Sequence, residues 1–244
     1  MIGAFRLLLF ACVALLGACA TLPRISPDDA EALQRWHEEQ LAHFEDWRLS
    51  GKISVRDDQD NFSGRLHWRT SSGSYEMLIV APMGRGSWRL EGSAAGAVLT
   101  DEKQQVWRGE DAETLLFQRL GWHVPVDDLV YWIRAMRVPD RVAEVEFDAW
   151  GRMGRLREAG WTVTYQAWQE SAGLQMPRKM VAASDPYRLK LVINEWALGA
   201  GSEAEPEDAP EPGPESGFDS GFEAGPENGP GNGFGPGPEA EKGG

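Results

Sequence analysis

Apolar and polar side chains alternate in the stretch Trp47-Arg48-Leu49-Ser50-Gly51-Lys52-Ile53-Ser54-Val55, the pattern of a β-strand with one buried face. After a polar turn at 57–61, the stretch 62–68 (Phe-Ser-Gly-Arg-Leu-His-Trp) repeats the alternation. The two stretches predict an antiparallel hairpin with one apolar face and one cationic, solvated face.

The same alternation continues through most of the chain and predicts ten or eleven antiparallel strands. Further strands are predicted near residues 75–81, 88–91, 97–100, 104–108, 142–147, 153–159, 161–168, 178–184 and 187–196. So many strands with one apolar face predict one strongly curved sheet that forms an incomplete barrel. The pattern alone leaves open whether the interior is packed solid, as in most domains, or hollow.

Three stretches have helical patterns. Ser26 before Pro27 and two aspartates predicts a helix start, and the buried stripe is predicted at Ala30, Leu33, Trp36, Leu41 and Phe44. A second helix is predicted over 111–120, ended by Gly121, and a third over Pro125–Met136. The third has apolar side chains at helical spacing, namely Leu129, Trp132, Ile133 and Met136. We expect the helices to form a lid over the open side of the barrel.

The N-terminal segment has the pattern of an export signal. A single positive charge in residues 1–6 precedes an apolar run at 7–16 that is too short to span a bilayer. Small residues then lead into a cysteine in Leu16-Gly17-Ala18-Cys19, which resembles a bacterial lipobox. This predicts a leader at 1–18, lipidation of Cys19 and a tether at 19–25. A plain signal peptide with a chance cysteine is the alternative.

The C-terminal segment differs sharply in composition. Residues 199–244 contain 13 glycines, 8 prolines, 11 acidic residues and one lysine. Such a segment buries too little apolar surface to offset its ordering entropy, so it is predicted to be a disordered acidic tail. The remaining residues, 26–198, are long enough for one domain. Since that domain is weakly acidic, no nucleic-acid partner is expected.

Residues suited to catalysis or metal binding do not cluster in the sequence. His37, His43, His67 and His123 are not near a cysteine and do not form a known metal or catalytic motif. The acidic turn 57–61 lacks the glycine and the distant glutamate of an EF-hand calcium loop. We therefore expect no enzyme activity, no cofactor and no metal.

The segment Ala81-Pro82-Met83-Gly84-Arg85-Gly86 is unusual for a hairpin tip. Turns usually carry Asn, Asp, Gly or Ser, whereas this one carries a methionine between proline and glycine. An exposed methionine here would suit contact with hydrocarbon or with a partner's groove. The alternative is a turn residue packed against the lid, and the local sequence leaves both open.

Taken together, these residues resemble the LolB family, the outer-membrane receptors for bacterial lipoproteins. The similarity covers about residues 19–198, and the acidic tail departs from it. It rests on the order of short motifs: the lipobox at Cys19, Trp47 to Ile53, Pro82 to Gly84, Trp132-Ile133, Met176-Pro177, Lys190 to Ile193 and Trp196.

The resemblance implies an open β-barrel with a helical lid over a hydrophobic cavity for acyl chains. The implied partners are a LolA-like periplasmic carrier, acylated lipoprotein cargo and outer-membrane lipid. The protein would be a monomer, anchored to the outer membrane at Cys19 and facing the periplasm. Ala20 agrees with this destination, because it is not the aspartate associated with inner-membrane retention.

The resemblance also assigns roles to particular residues. Pro82, Met83 and Gly84 would form the loop that inserts cargo into the membrane, and Leu129, Trp132, Ile133 and Met136 would belong to the lid. The inward faces of the strands would line the cavity with Leu49, Ile53, Phe62, Leu66, Trp68, Trp88, Leu90, Trp161, Tyr165 and Leu191. Two other classes stay open: a lipid-anchored carrier of another apolar ligand such as a glycolipid, and a structural or assembly lipoprotein without a cavity.

Overall fold

The computed structural model describes residues 25–58, 60–84 and 86–199. The predicted leader, Cys19 and nearly all of the predicted acidic tail lie outside these ranges, so their assignments stay predictions.

One antiparallel sheet dominates the described residues and contains eleven strands. They are β1 (Trp47–Arg56), β2 (Asn61–Ser71), β3 (Ser74–Val80), β4 (Ser87–Ser93), β5 (Gly96–Asp101), β6 (Val106–Gly109), β7 (Ala143–Phe147), β8 (Met153–Glu158), β9 (Trp161–Ser171), β10 (Leu174–Ser184) and β11 (Tyr187–Leu198). Their order in space is β6-β5-β4-β3-β2-β1-β11-β10-β9-β8-β7. Within the described residues β6 and β7 are the two edges, so the sheet is not closed, which confirms the mainly β, incomplete-barrel prediction.

The first and last strands lie side by side at the centre of the sheet. β1 pairs with β2 on one side and with β11 on the other, joining two meanders that are each built from local hairpins. Trp47 at the start of β1 contacts Trp68 and Trp196, with ring centroids 5.7 Å apart in both pairs. The inward residues of β1 and β2 are buried as the alternation predicts, while Lys52 and Arg65 on the other face are exposed.

Gly51 lies where β1 has a register irregularity against β11, between Ser50 and Gly51. A side chain at this position would overlap the backbone carbonyl oxygen of Val192 and lie 3.0 Å from Ile193 Cα. Backbone in the middle of a sheet cannot move away easily, because it is hydrogen-bonded on both sides. Only glycine fits this close approach of two central strands.

Replacing Gly51 with alanine should therefore destabilise the protein by about 2–3 kcal/mol, as overpacking a rigid site does. The measurement is the free energy of unfolding in urea. Gly154→Ala is the control, since its Cβ would lie 3.3 Å from the nearest atom, Glu146 O, and should cost no more than about 1 kcal/mol. Equal stabilities of the two variants would contradict the steric argument.

Three α-helices lie in the described residues: α1 (Pro27–Ala42), α2 (Ala112–Leu120) and α3 (Val126–Trp132). Ser26 caps α1 by accepting a hydrogen bond from the Asp29 N–H (3.2 Å), as its sequence predicts. Asp111 caps α2 in the same way through the Thr114 N–H (2.7 Å), and Gly121 ends that helix in the left-handed conformation. None of the helices in the described ranges has the length and apolarity needed to cross a membrane.

The predicted stripe of α1 is only partly buried. Ala30 and Leu41 are buried, but Leu33 and Trp36 are 45% and 50% exposed, and the polar Gln34 is buried instead. The prediction was wrong for Leu33 and Trp36 because this part of α1 meets polar backbone groups beyond α3. Gln34 Nε2 donates to the Ala135 carbonyl oxygen at 2.8 Å.

The third helix is shorter than predicted, since it ends at Trp132 rather than Met136. Tight turns follow, in which the N–H of Ala135 donates to the Trp132 carbonyl oxygen, and Ala135 has a positive φ of 56°. Ile133 and Met136 are nevertheless buried. Apolar spacing predicted their burial correctly, but a turn that packs on the sheet satisfies the same spacing as a helix.

The segment between β6 and β7 joins the two edges of the open sheet and carries α2 and α3. Its residues Leu129, Trp132 and Ile133 are buried in the same apolar cluster as the inner face of the sheet. We call residues 110–142 the lid segment, because the chain must pass over the open side of the sheet to connect its edges.

Candidate functional site

The predicted insertion loop protrudes from the protein. Pro82 to Gly84 form a short 3₁₀ turn between β3 and β4, and Met83 at its tip is 96% exposed. The loop is closed at its base by a hydrogen bond from the Ala81 N–H to the Gly86 carbonyl oxygen (2.9 Å). Of the two alternatives left open by the sequence, the structure has the exposed methionine and not one packed against the lid.

Met83 also has an unusual backbone. Its φ of 57° and ψ of 34° lie in the left-handed region, which is uncommon for a residue with an unbranched apolar side chain. Such a conformation costs on the order of 1–3 kcal/mol. A flexible apolar side chain is thus held away from the domain by a strained turn, where it gains nothing from packing. This combination suggests a role for the exposed side chain outside the domain.

The predicted cavity residues come together on the inner face of the sheet. Eight of them are buried, and Phe62 and Trp88 are half-buried and packed against the same apolar cluster. The buried ones are Leu49, Ile53, Leu66, Trp68, Leu90, Trp161, Tyr165 and Leu191. The structure places these side chains in one apolar interior, whereas their role in lining an acyl-chain cavity stays a prediction.

An aromatic group lies between this interior and the protruding loop. Phe62 contacts Trp88 and Trp122, with ring centroids 5.4 Å and 4.7 Å away. Trp88 is only two residues beyond the base of the Met83 loop, and Trp122 belongs to the linker between α2 and α3. We call Phe62, Trp88 and Trp122 the aromatic mouth, because they join strands and lid segment at the end of the sheet that carries the loop.

Trp68 is a buried residue with an unsatisfied polar atom. Its side chain is 1% exposed, and its Nε1 has no hydrogen-bond partner within the described part of the chain. Leaving a buried N–H unpaired costs about 1–3 kcal/mol. Because Trp68 belongs to the inner face, its N–H is a donor available to a polar group that enters the interior.

Buried polar side chains of β8 and β9 form hydrogen bonds with the lid segment. Glu158 is 3% exposed and accepts hydrogen bonds from Trp132 Nε1 (2.6 Å) and the Val138 N–H (3.3 Å). Tyr165 donates its hydroxyl to the Trp132 carbonyl oxygen at 2.7 Å. Burial raises the pKa of Tyr165 well above its usual value, so this hydroxyl keeps its proton and remains a donor. Trp132, predicted as a lid residue, is thereby fixed to β8 and β9.

A second polar cluster ties α1 to the end of the lid segment. Arg137 forms ion pairs with Glu38 (2.7 Å) and Glu31 (2.8 Å) of α1. Burial alone would raise the pKa of Glu38, but hydrogen bonds from Arg137 and Gln34 outweigh it and lower that pKa. The neighbouring Arg134 is buried, which lowers its pKa to about 10. Sequence reasoning missed this cluster, because its members are about 100 residues apart.

Two of the histidines contact neighbouring groups of the domain. His37 is half-buried, which lowers its pKa, and its Nε2 lies 2.9 Å from the Arg134 carbonyl oxygen. His123 Nδ1 lies 2.6 Å from Glu113 Oε1. In the ranges that the structure describes, no three His, Cys, Asp or Glu side chains are grouped so that they could hold a metal ion.

A groove of about 810 Å³ lies on the outer face of the sheet beside the loop. Its walls include Pro82 and Met83, together with the cationic residues Lys52, Arg65 and Lys190. Sequence reasoning missed it. The alternation of residues predicted that the outward Lys and Arg side chains of β1 and β2 form a solvated face. No local sequence pattern predicted that the β3–β4 loop would lie beside them.

Comparison with known proteins finds relatives of this chain. A family model described as outer membrane lipoprotein LolB matches residues 45–196. The outer-membrane lipoprotein LolB of Alkalilimnicola ehrlichii is 37% identical over 195 residues, covering 79% of this chain and 97% of the relative. The protein of the same name from Pseudomonas paraeruginosa is 33% identical over 197 residues, covering 78% and 96%.

A crystal structure of a LolA superfamily protein from Nitrosomonas europaea is also similar, with a TM-score of 0.48 and 12% sequence identity. It covers 70% of this chain and 94% of that protein. The whole of the predicted acidic tail, residues 199–244, lies beyond the range that the family model matches. The matched range and the relatives above 30% identity show that this chain belongs to the LolB family of outer-membrane lipoproteins.

Proposed function

We propose that this protein, an outer-membrane lipoprotein by its family, accepts acylated lipoproteins from a LolA-like periplasmic carrier and inserts them into the outer membrane. The observation that carries the proposal is Met83, almost fully exposed on a strained loop next to an apolar interior covered by the lid segment. The interior is suited to holding acyl chains, and the loop to meeting the membrane that receives them. Cys19 would anchor the protein there.

The energetics of acyl chains explain why such a protein is needed. Each exposed CH₂ of an acyl chain costs about 0.8 kcal/mol in water, so a lipoprotein cannot cross the periplasm with bare chains. Transfer without a bound energy source must run downhill. We propose that this protein holds the cargo more tightly than the carrier does, and that the membrane holds it more tightly still.

The cargo would enter by displacing the lid segment from the sheet. Leu129, Trp132, Ile133 and Met136 cover the inner face, and the aromatic mouth lies at the end nearest the loop. Opening there would expose the proposed lining and lead cargo toward Met83. The polar contacts of Glu158 and Tyr165 would keep the lid segment closed when no cargo is bound.

The direct test is a transfer assay. A labelled lipoprotein loaded on a LolA-like carrier is mixed with this protein, and the label is followed by affinity capture. We expect the cargo to move to this protein, and no transfer would overturn the proposal. The intact mass of whatever co-purifies provides a second measurement, because a bound glycolipid in place of lipoprotein acyl chains would indicate a different carrier function.

Trp68→Phe separates a hollow interior from a solid one. Phenylalanine removes the unpaired N–H but also part of the packing of a buried indole, so the two effects offset and the stability of the empty protein should change by no more than about 1 kcal/mol in either direction. If the N–H binds an ester carbonyl of the cargo, affinity for a diacylglyceryl probe should fall about threefold to tenfold. Urea unfolding and fluorescent-probe titration measure the two effects. Unchanged probe affinity would remove Trp68 from the proposed lining.

A further inference from the structure

The groove beside Met83 lies on the face of the sheet opposite the proposed acyl-chain interior. Lys52 on β1, Arg65 on β2 and Lys190 on β11 are all exposed along it. Pro82 and Met83 form the wall at its loop end, and the half-buried Val80 and Val192 contribute apolar surface. It therefore combines cationic side chains with apolar surface next to the proposed insertion loop.

The cations are arranged so that like charges face each other. Lys52 lies directly opposite Arg65 across β1 and β2, and Arg56 lies directly opposite Arg188 across β1 and β11. Placed in this way, the cations concentrate positive charge on the outer face of the three adjacent strands β2, β1 and β11. Such a concentration of one sign of charge attracts an anionic surface.

The charge of the whole chain makes this local arrangement important. The formal net charge is −14, of which residues 199–244 carry −10, so an anionic surface repels the acidic tail strongly and the domain weakly. A cationic groove beside the loop is the part that such a surface would attract. Attraction at this place would turn Met83 toward the surface, because Met83 itself forms part of the groove wall.

We infer that this groove docks the phosphate-bearing headgroups of a phospholipid membrane and so orients Met83 toward it. The inference rests on the proposed membrane step at Met83 and adds the chemistry that recognises the surface. Phosphate oxygens meet the charges of Lys52, Arg65 and Lys190, and the glycerol and upper acyl portions meet Val80, Val192 and Met83. Each Lys or Arg near an anionic membrane strengthens binding about fivefold.

The test uses the full-length acylated protein reconstituted in vesicles that contain phosphatidylglycerol with a photoreactive group on its headgroup. After illumination, mass spectrometry measures the label on peptides from β1 and β11. We expect strong labelling in the wild type and at least about tenfold less in Lys52→Glu/Lys190→Glu. The charge-conserving variant Lys52→Arg/Lys190→Arg should be labelled like the wild type. Vesicles of an uncharged galactolipid that carries the same photoreactive group should produce little labelling.

The matched control is Lys103→Glu/Arg108→Glu, which changes the charge equally at exposed positions on β6 and the turn before it. It should be labelled like the wild type. The inference is overturned if Lys52→Glu/Lys190→Glu is labelled normally, or if the galactolipid labels equally well. It is also overturned if inorganic phosphate at 20 mM abolishes labelling, since that would indicate a free-phosphate site.

An acidic protein is the competing occupant, and a LolA-like carrier is the obvious candidate. If the double glutamate variant keeps its labelling but no longer accepts cargo from the carrier, the groove binds that protein and the membrane inference is wrong. Headgroup labelling needs no cargo. If the wild-type protein is labelled as expected but does not accept cargo, the proposed function is contradicted and the groove assignment stands.

Discussion

Replacing Met83 with glutamate should leave cargo acceptance intact and slow delivery to the membrane at least about tenfold. Burying a methionine side chain contributes about 1.5–3 kcal/mol, and 1.4 kcal/mol is already a factor of ten. A carboxylate in the same place adds a desolvation cost at the membrane surface. Since Met83 is 96% exposed in the folded protein, the substitution removes no packing from the domain.

Two assays on the same preparation measure this prediction. Transfer of labelled lipoprotein from the carrier reports acceptance, and flotation of the label with acceptor vesicles reports delivery. Met83→Leu should behave like the wild type, because leucine keeps an apolar side chain. Trp150→Glu is the matched control, since Trp150 is another apolar residue that is 65% exposed and lies outside both the loop and the lid segment.

The result separates the two readings of the loop. If Met83→Glu delivers cargo as fast as the wild type, Met83 is a turn residue without a role in insertion. If it fails to accept cargo at all, the loop acts in the contact with the carrier instead. Loss of delivery in Trp150→Glu as well would indicate a general effect of surface charge rather than a site.

Glu158→Ala should produce the second large effect, a loss of about 2–4 kcal/mol in the free energy of unfolding. The buried carboxyl group accepts hydrogen bonds from Trp132 Nε1 and the Val138 N–H, and alanine would leave both donors unpaired. Each unsatisfied buried donor costs about 1–3 kcal/mol. The loss should concentrate in the lid segment, because both donors lie there.

Urea unfolding measures the global effect, and amide hydrogen exchange measures the local one. We expect faster exchange in residues 132–138 and little change in β1 and β2. Glu144→Ala is the control: its carboxylate is 76% exposed and forms a surface pair with Arg157 at 3.5 Å, so its removal should cost less than about 0.5 kcal/mol. A cost below 1 kcal/mol for Glu158→Ala would show that Glu158 does not hold the lid segment in place.

Faster lid opening has a functional consequence under the proposed mechanism. A looser lid segment should speed cargo entry while reducing the affinity with which cargo is kept. Glu158→Ala would then accept cargo faster from the carrier and also lose it faster to vesicles. Unchanged kinetics despite the lost stability would mean that the lid segment does not move during transfer.

Much of the fold was predictable from local patterns. Alternation over Trp47 to Val55 indicated a strand with one buried face, and the structure buries Leu49 and Ile53 while exposing Lys52. Ser26, Asp111 and Gly121 marked helix ends correctly. These features depend on periods of two or 3.6 residues and on hydrogen bonds within a turn, which neighbouring residues determine by themselves.

Two wrong predictions show which features local sequence patterns do not determine. Leu33 and Trp36 were expected in the buried stripe of α1 and are exposed, while Gln34 is buried against the Ala135 carbonyl oxygen. The third helix was expected to reach Met136 and ends at Trp132. Gln34 donates to a residue 101 positions away in the chain, and at the end of α3 the Trp132 carbonyl oxygen accepts from Tyr165 of β9. Polar contacts between residues distant in the chain thus accompany both departures from the apolar spacing.

The sequence by itself therefore determined the strands, the helix starts and the apolar methionine at a hairpin tip. Tertiary structure alone decided that Met83 points away from the lid, that Glu158 accepts from Trp132, and that Lys52, Arg65 and Lys190 line one groove with the loop. The physical reason is that β11 pairs with β1 and brings Lys190 next to Ser54, which lies more than 100 residues earlier in the chain. Such contacts depend on strand order and register, which local residue patterns do not contain.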